Sequence, residues 1–159
     1  MTAGLLTISV SLIGQTAVEK AAVMQPINKL FNGMKLGDSS KVHEVFASTV
    51  TMATIAIDKS GKPAIRYEST IEGFLKAIGT PHPDEWSEII WDAKIEIDGN
   101  MAQVWAPYAF YVGKKFSHCG VDAFHLFNGP DGGWKIFHLA DTRQKEGCNV
   151  PKEISKHFN

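Results

Sequence analysis

This chain has little of what usually announces a function class. Its 159 residues hold two cysteines, and its 16 lysines and arginines are spread thinly against 17 acidic residues, for a formal net charge of -1. Without a basic run it has no surface built to neutralise a row of phosphates, which argues against a nucleic-acid partner and against a polybasic membrane patch. No uncharged apolar stretch reaches the ~20 residues that a membrane-crossing helix needs. No glycine-rich phosphate loop opens a helix, and no serine or cysteine stands in a nucleophile-elbow context. No Cys/His spacing suits a metal on one element, so neither a metal nor another cofactor is expected.

What is present describes one globular domain. Apolar residues make up 44% and charged residues 21% of the chain, close to the average for folded proteins. Residues 1–17 carry no charge and have an apolar centre from Leu5 to Ile13, followed by the small residues Gly14 and Ala17. That pattern reads as a signal-peptide-like leader lacking a basic start. The expected division is a leader at 1–17, a single domain at 18–148 and a C-terminal tail at 149–159. Export to the periplasm or beyond is expected, with a cytoplasmic location as the alternative and no stable membrane insertion after cleavage. Cys119 and Cys148 are either two free thiols or one disulfide. The bridge would close a loop of ~30 residues, worth ~3 kcal/mol on a chain-entropy model.

Apolar residues Val23, Ile27, Leu30, Phe31 and Met34 recur at helical steps, with Pro26 inside the run as a kink or a fresh start. Gly37 ends that helix, and Asp38 caps a shorter one carrying Val42, Val45 and Phe46. Thr49–Ile57 is dense in β-branched residues, and a turn at Asp58–Pro63 returns it through Ala64–Tyr67. A capping box at Ser69–Glu72 opens a third helix that ends at Gly79. Glu85–Asp98 alternates as one long strand, with Ile89, Trp91, Ala93, Ile95 and Ile97 on its apolar face and Glu88 on the other. From Asn100 to Arg143, three runs of strand formers joined by glycine-bearing turns describe a meander.

The order of elements, together with LFNGMKLGDSSKVHEVFA, VWAPYAFYVGKKFSHCGVDAF and GGWKIFHLADTR, resembles the nuclear transport factor 2-like superfamily over roughly Val18 to Arg143. Within it the phrases look most like small exported bacterial members labelled SnoaL-like or lumazine-binding. The resemblance implies an α+β fold in which three N-terminal helices pack in the concave face of a strongly curved, mostly antiparallel sheet, a cone-like half-barrel. It also implies a deep pocket on the hollow side and sheet-to-sheet pairing of two copies. Fold alone leaves the reaction open.

Alternation divides each meander strand into two faces. Apolar uniformity points one face of the first strand inward, and for the other two strands the resemblance implies which face is concave. On the first meander strand Tyr108 and Phe110 point inward, and Trp105 and Tyr111 outward, as the expected homodimer surface. On the second, Phe116, His118, Gly120, Asp122, Phe124 and Leu126 share the inner face. On the last, Trp134, Ile136, His138, Ala140 and Thr142 are the inner set, although a one-residue shift would invert that strand. Asp122 resembles the acidic member of the ketosteroid isomerase oxyanion hole, a carboxylic acid kept neutral by an apolar site. Leu30 and Thr54 stand where that enzyme has its tyrosine and its general base, so steroid-type isomerisation is not expected.

The expected site is therefore Asp122 and His138 as catalytic candidates, with Tyr108, Phe110, His118, Phe124, Leu30 and Met34 as ligand-binding residues. The first functional reading is a small-molecule-binding domain with a largely apolar pocket. The second is a lyase, isomerase or cyclase acting on a small carbonyl-bearing hydrophobe, with His138 as base and Asp122 as acid or orienter. The third is an interaction module that works through its convex face.

Overall fold

The computed structural model describes residues 15–68 and 70–158; residues 1–14 of the expected leader, Ser69 and Asn159 lie outside that range. Helix α1 (Ala17–Leu36) begins at a capping box that the sequence carries in Thr16 and Glu19. Thr16 Oγ1 accepts from the Glu19 amide at 3.2 Å, and the Glu19 carboxylate accepts from the Thr16 amide at 2.8 Å. The helix runs unbroken through the buried Pro26 and ends on Gly37, whose φ of 66° suits a residue without a Cβ. Asp38 caps α2 (Ser39–His43) by accepting from the Lys41 amide. A Cβ at Gly33 would stand 2.6 Å from Val42, so glycine there lets the two helices touch. Helix α3 (Ile71–Gly79) takes Thr70 as N-cap without a side-chain cap bond, so the expected capping role of Ser69 falls on a residue outside the described range.

The strands are β1 (Phe46–Ile57), β2 (Pro63–Glu68), β3 (Trp86–Ile90), β4 (Lys94–Asp98), β5 (Met101–Val112), β6 (Lys115–Asn128) and β7 (Trp134–Arg143). They form one sheet in the order β2-β1-β7-β6-β5-β3, with β4 on the first half of β5. Among the described residues every pairing is antiparallel except β1 with β7. The sheet curls around α1, and Val23, Ile27, Val104, Phe124, Leu126 and Ile136 fill its narrow end with hydrocarbon. This is the α+β architecture expected from the sequence.

Three irregularities change which residues face inward. The expected strand over Glu85–Asp98 is two strands, broken where Asp92 adopts φ 47°, a conformation that Asp tolerates better than most residues. Ser117 is an extra residue on β6 opposite β5: Phe110 pairs with His118 and Tyr111 with Phe116. Phe116 therefore meets Tyr111 on the outer face rather than lining the cone. Phe137 is an extra residue on β7 opposite β6: Leu126 pairs with Ile136 and His125 with His138. Each bulge shifts the alternation by one residue.

Beyond β7 the chain folds back over the outer face. Gln144 exchanges both backbone hydrogen bonds with Cys119 at 2.9 Å, and Cys119 is bonded to Cys148 with the Cα atoms 6.1 Å apart. Helix α4 (Lys152–Ser155) follows, and Phe158 stacks on Tyr111 with ring centroids 3.8 Å apart. Tyr111, expected as an exposed surface aromatic, is thus covered by the chain's own end and is only 4% exposed.

Candidate functional site

The wide end of the cone holds a cavity of about 370 Å³. Its apolar walls come from Leu30, Phe31 and Met34 on α1, Phe74 on α3, Trp86 on β3 and Phe110 on β5. Its polar wall comes from Thr54, Glu68, Glu88, Tyr108, His118, Asp122, Asp141 and Arg143.

Asp141 organises one half of the polar wall. Thr54 Oγ1 donates to its Oδ1 at 2.6 Å, and Tyr108 Oη (3.1 Å) and Arg143 Nε (2.6 Å) both donate to its Oδ2. The Tyr108 hydroxyl also lies 3.0 Å from the Thr142 carbonyl. That carbonyl turns toward Gly120, where a Cβ would sit only 1.8 Å from it. Gly120, the cross-strand partner of Tyr108, is therefore needed without a side chain for the network to close. Burial, then Asp141 and the other two acids, raises the Tyr108 pKa well above its usual value, so the phenol stays protonated.

Asp122 and Glu88 form the other half. Asp122 is 3% exposed, and its Oδ2 is buried without a hydrogen-bond partner. Burial, reinforced by the facing Glu88 carboxyl, drives its pKa well above the carboxylate range. Glu88 is pushed up to about 7 by burial, while its hydrogen bond with Asp122 pulls the other way. The same contact raises one group and lowers the other, as it must when protonated Asp122 donates to the Glu88 carboxylate. Asp122 is also the direct cross-strand partner of Asp141. Two ionised carboxylates opposite each other would repel, and a neutral Asp122 avoids this.

His118 sits among Tyr108 and Phe110, with ring centroids 5.7 and 5.0 Å away. Burial, followed by Arg143, lowers its pKa to about 4, so it is neutral at physiological pH. Its Nδ1 is 3.0 Å from Ser117 Oγ.

Comparison with known proteins gives a consistent architecture. No family model and no curated protein matches the sequence. Among solved structures, a nuclear transport factor 2-like protein of unknown function from Shewanella baltica is 24% identical, with a TM-score of 0.58 over 83% of this chain and 99% of its own. The chain has the nuclear transport factor 2-like fold. Two further structures with this fold carry functional names. The beta subunit of a provisionally assigned aromatic-ring-hydroxylating dioxygenase from Novosphingobium aromaticivorans is 13% identical, with a TM-score of 0.66 over 81% of this chain and 91% of its own. A provisionally assigned ketosteroid isomerase from Shewanella frigidimarina is 18% identical, with a TM-score of 0.55 over 76% and 94%. Such distant likeness carries the fold and leaves the chemistry to the residues.

Within this nuclear transport factor 2-like cone the expected site residues separate into two groups. Leu30, Met34, Tyr108, Phe110, His118 and Asp122 all line the cavity. Phe124 lies deeper, fully buried in the hydrocarbon core with its ring 6.2 Å from Phe31. His138 is a correction: it does not meet Asp122. The Phe137 bulge turns it to the outer face, where its Nδ1 is 2.6 Å from Thr51 Oγ1 and its ring stacks on His125 at 5.4 Å. Burial and then His125 lower its pKa.

The same bulge brings in Asp141 and Arg143, and the break at Asp92 brings in Glu88. Thr54 enters as the cross-strand partner of Asp141. Two signals for these residues lie in the sequence. Ile136 and Leu139 are aliphatic at an odd spacing, as are Ile90 and Ile95, and a strand with both members inside must carry an extra residue between them.

Proposed function

We propose that the chain is a small-molecule-binding domain whose cone takes a compact, largely apolar molecule and presents its polar end to the Asp122–Glu88 pair. The observation that carries this reading is the meeting of two carboxyl groups in a cavity walled by Phe74, Trp86 and Phe110. Its volume falls in the range of small-ligand sites. A carboxyl group poised near pH 7 can also exchange a proton with what it binds. In the catalytic reading, the base therefore becomes Glu88 in place of the distant His138. A carbonyl-bearing substrate is less well served, because the one proton available from Asp122 is already directed at Glu88.

The test uses 4-fluorobenzyl alcohol as probe, read by fluorine NMR. Wild-type protein is expected to broaden and shift the probe signal at sub-millimolar to millimolar concentration. Gly73→Trp should abolish the effect, since Gly73 lines the cavity and a Cβ there meets nothing within 4 Å. A probe signal unmoved by wild type, or equally perturbed by the filled variant, would sink the pocket reading.

Two further expectations have support of their own. Met101, Trp105 and Phe127 form an exposed apolar band on the outer face, Trp105 being 53% exposed and Met101 pairing directly with Phe127. This supports association of two copies through that face. The bond between Cys119 and Cys148 suits an oxidising compartment, in keeping with export.

A further inference from the structure

The two halves of the polar wall differ in their supply of hydrogens. Asp141 receives three protein donors. No donor from the described residues reaches Asp122 Oδ2, and Glu88 brings a second carboxyl to the same wall. Two carboxyl groups present four oxygens and at most one hydrogen each, so this end is rich in acceptors and short of donors. Arg143 is the one cation among the described lining residues, and it is ion-paired through Nε to Asp141.

Resting on the pocket reading above, we propose that this end of the cavity receives an ammonium group carried on an apolar, aromatic-sized body. A primary ammonium supplies three donors and the positive charge that lets the carboxyl pair ionise. The rings of Trp86 and Phe110 in the same wall favour a cation over their faces. An anionic ligand would instead meet Glu68, Glu88, Asp122 and Asp141 against the single cation Arg143, which is already paired with Asp141. A ketone would bring acceptors to the end of the cavity that is short of donors. The titratable groups facing the pair are Tyr108 on β5, His118 on β6, Asp141 and Arg143 on β7, and Glu68 on β2; α1 and α3 present Leu30, Phe31, Met34 and Phe74.

The experiment compares benzylamine, benzyl alcohol and benzoate by titration calorimetry on the whole chain. At pH 8 benzylamine is expected to bind at least tenfold more tightly than benzyl alcohol, with benzoate undetected. The amine's advantage should shrink toward pH 5.5, where Glu88 as well as Asp122 holds a proton. At pH 6, buffers of different ionisation enthalpy should reveal about one proton released per amine bound. Glu88→Gln and Asp122→Asn, both close to isosteric, should each reduce the advantage to under threefold. An amine no tighter than the alcohol, or an advantage that survives in the double variant, overturns this inference. In the first case, binding of the alcohol still supports the pocket. Failure of all three probes to bind overturns both.

Discussion

Strands β5 and β7 lie on either side of β6 and build opposite kinds of wall. From Met101 to Phe110, β5 pairs in unbroken register, and its inward residues Ala102, Val104, Ala106, Tyr108 and Phe110 are apolar apart from one hydroxyl. Strand β7 keeps register only to Ile136, gains Phe137, and then delivers Leu139, Asp141 and Arg143 to the cavity. A regular strand repeats one chemistry along its inner face, whereas an inserted residue lets a single strand supply hydrocarbon at the narrow end and charge at the wide one. The outer face gains from the same step, since His138 joins His125 and Thr51 there.

A second insertion tests the contrast most severely, whereas deleting Phe137 would only make β7 regular and leave His138 opposite His125. One alanine added between His138 and Leu139 would turn Asp141 and Arg143 outward and bring Ala140 and Thr142 in, stranding Thr54 and the Tyr108 hydroxyl. The expected outcome is loss of cooperative folding, or a fall in Tm of about 10 °C or more, read by circular dichroism. A variant melting within a few degrees of wild type would mean that the strand tolerates either alternation.

Asp141→Ala keeps the register and removes only the shared acceptor. It should cost about 2–3 kcal/mol by urea denaturation, since buried donors are left unmatched. Thr54→Ala, which removes one donor of three, should cost about 1 kcal/mol.

Glu88 sharpens the comparison through pH. Its folded pKa of about 7 stands above the unfolded value near 4.5, so between those limits the folded protein binds more protons than the unfolded chain. Its contribution is fully present below pH 4.5 and is lost as pH rises through 7. Glu88→Gln should therefore flatten the stability–pH curve over that window, by on the order of 2 kcal/mol. Equal slopes for the two proteins would show that Glu88 is not the group titrating there.

The smallest effect belongs to the outer face. His138→Ala should change stability by under about 1 kcal/mol and leave binding in the cone unaltered, as measured by denaturation and by the fluorinated probe. A loss of probe binding would contradict the placement of His138 outside the cone.

How far the sequence can be read follows from the same strands. Helical spacing in α1, the Gly37-Asp38 elbow and the apolar alternation of β5 are local patterns, and each is legible in the residues themselves. Asp122 stands out because a carboxylate between Val121 and Phe124 has to be neutralised or matched. Its partner is not legible in that way, because partner identity depends on alternation carried across two strands. One inserted residue, Phe137, inverts everything beyond it and replaces the expected His138. Glu88 is hidden by a similar step, since the alternation of Glu85–Asp98 looks continuous across Asp92. Thr16 and Glu19 are masked for a simpler reason: Thr16 falls inside the uncharged stretch that reads as leader, so the capping pattern straddles an expected boundary.

The backward fold of the C-terminal segment divides the outer surface of the sheet. Residues after Arg143 occupy the half around Tyr111 and Cys119, leaving the half around Met101, Trp105 and Phe127 open. On the proposed pairing through this face, a second copy would sit off-centre, toward the hairpin ends, with two short sheets overlapping instead of two whole ones. Thiol reagents would lengthen the available platform by unpinning that strap, and the stagger between neighbouring copies would become a property of the redox surroundings.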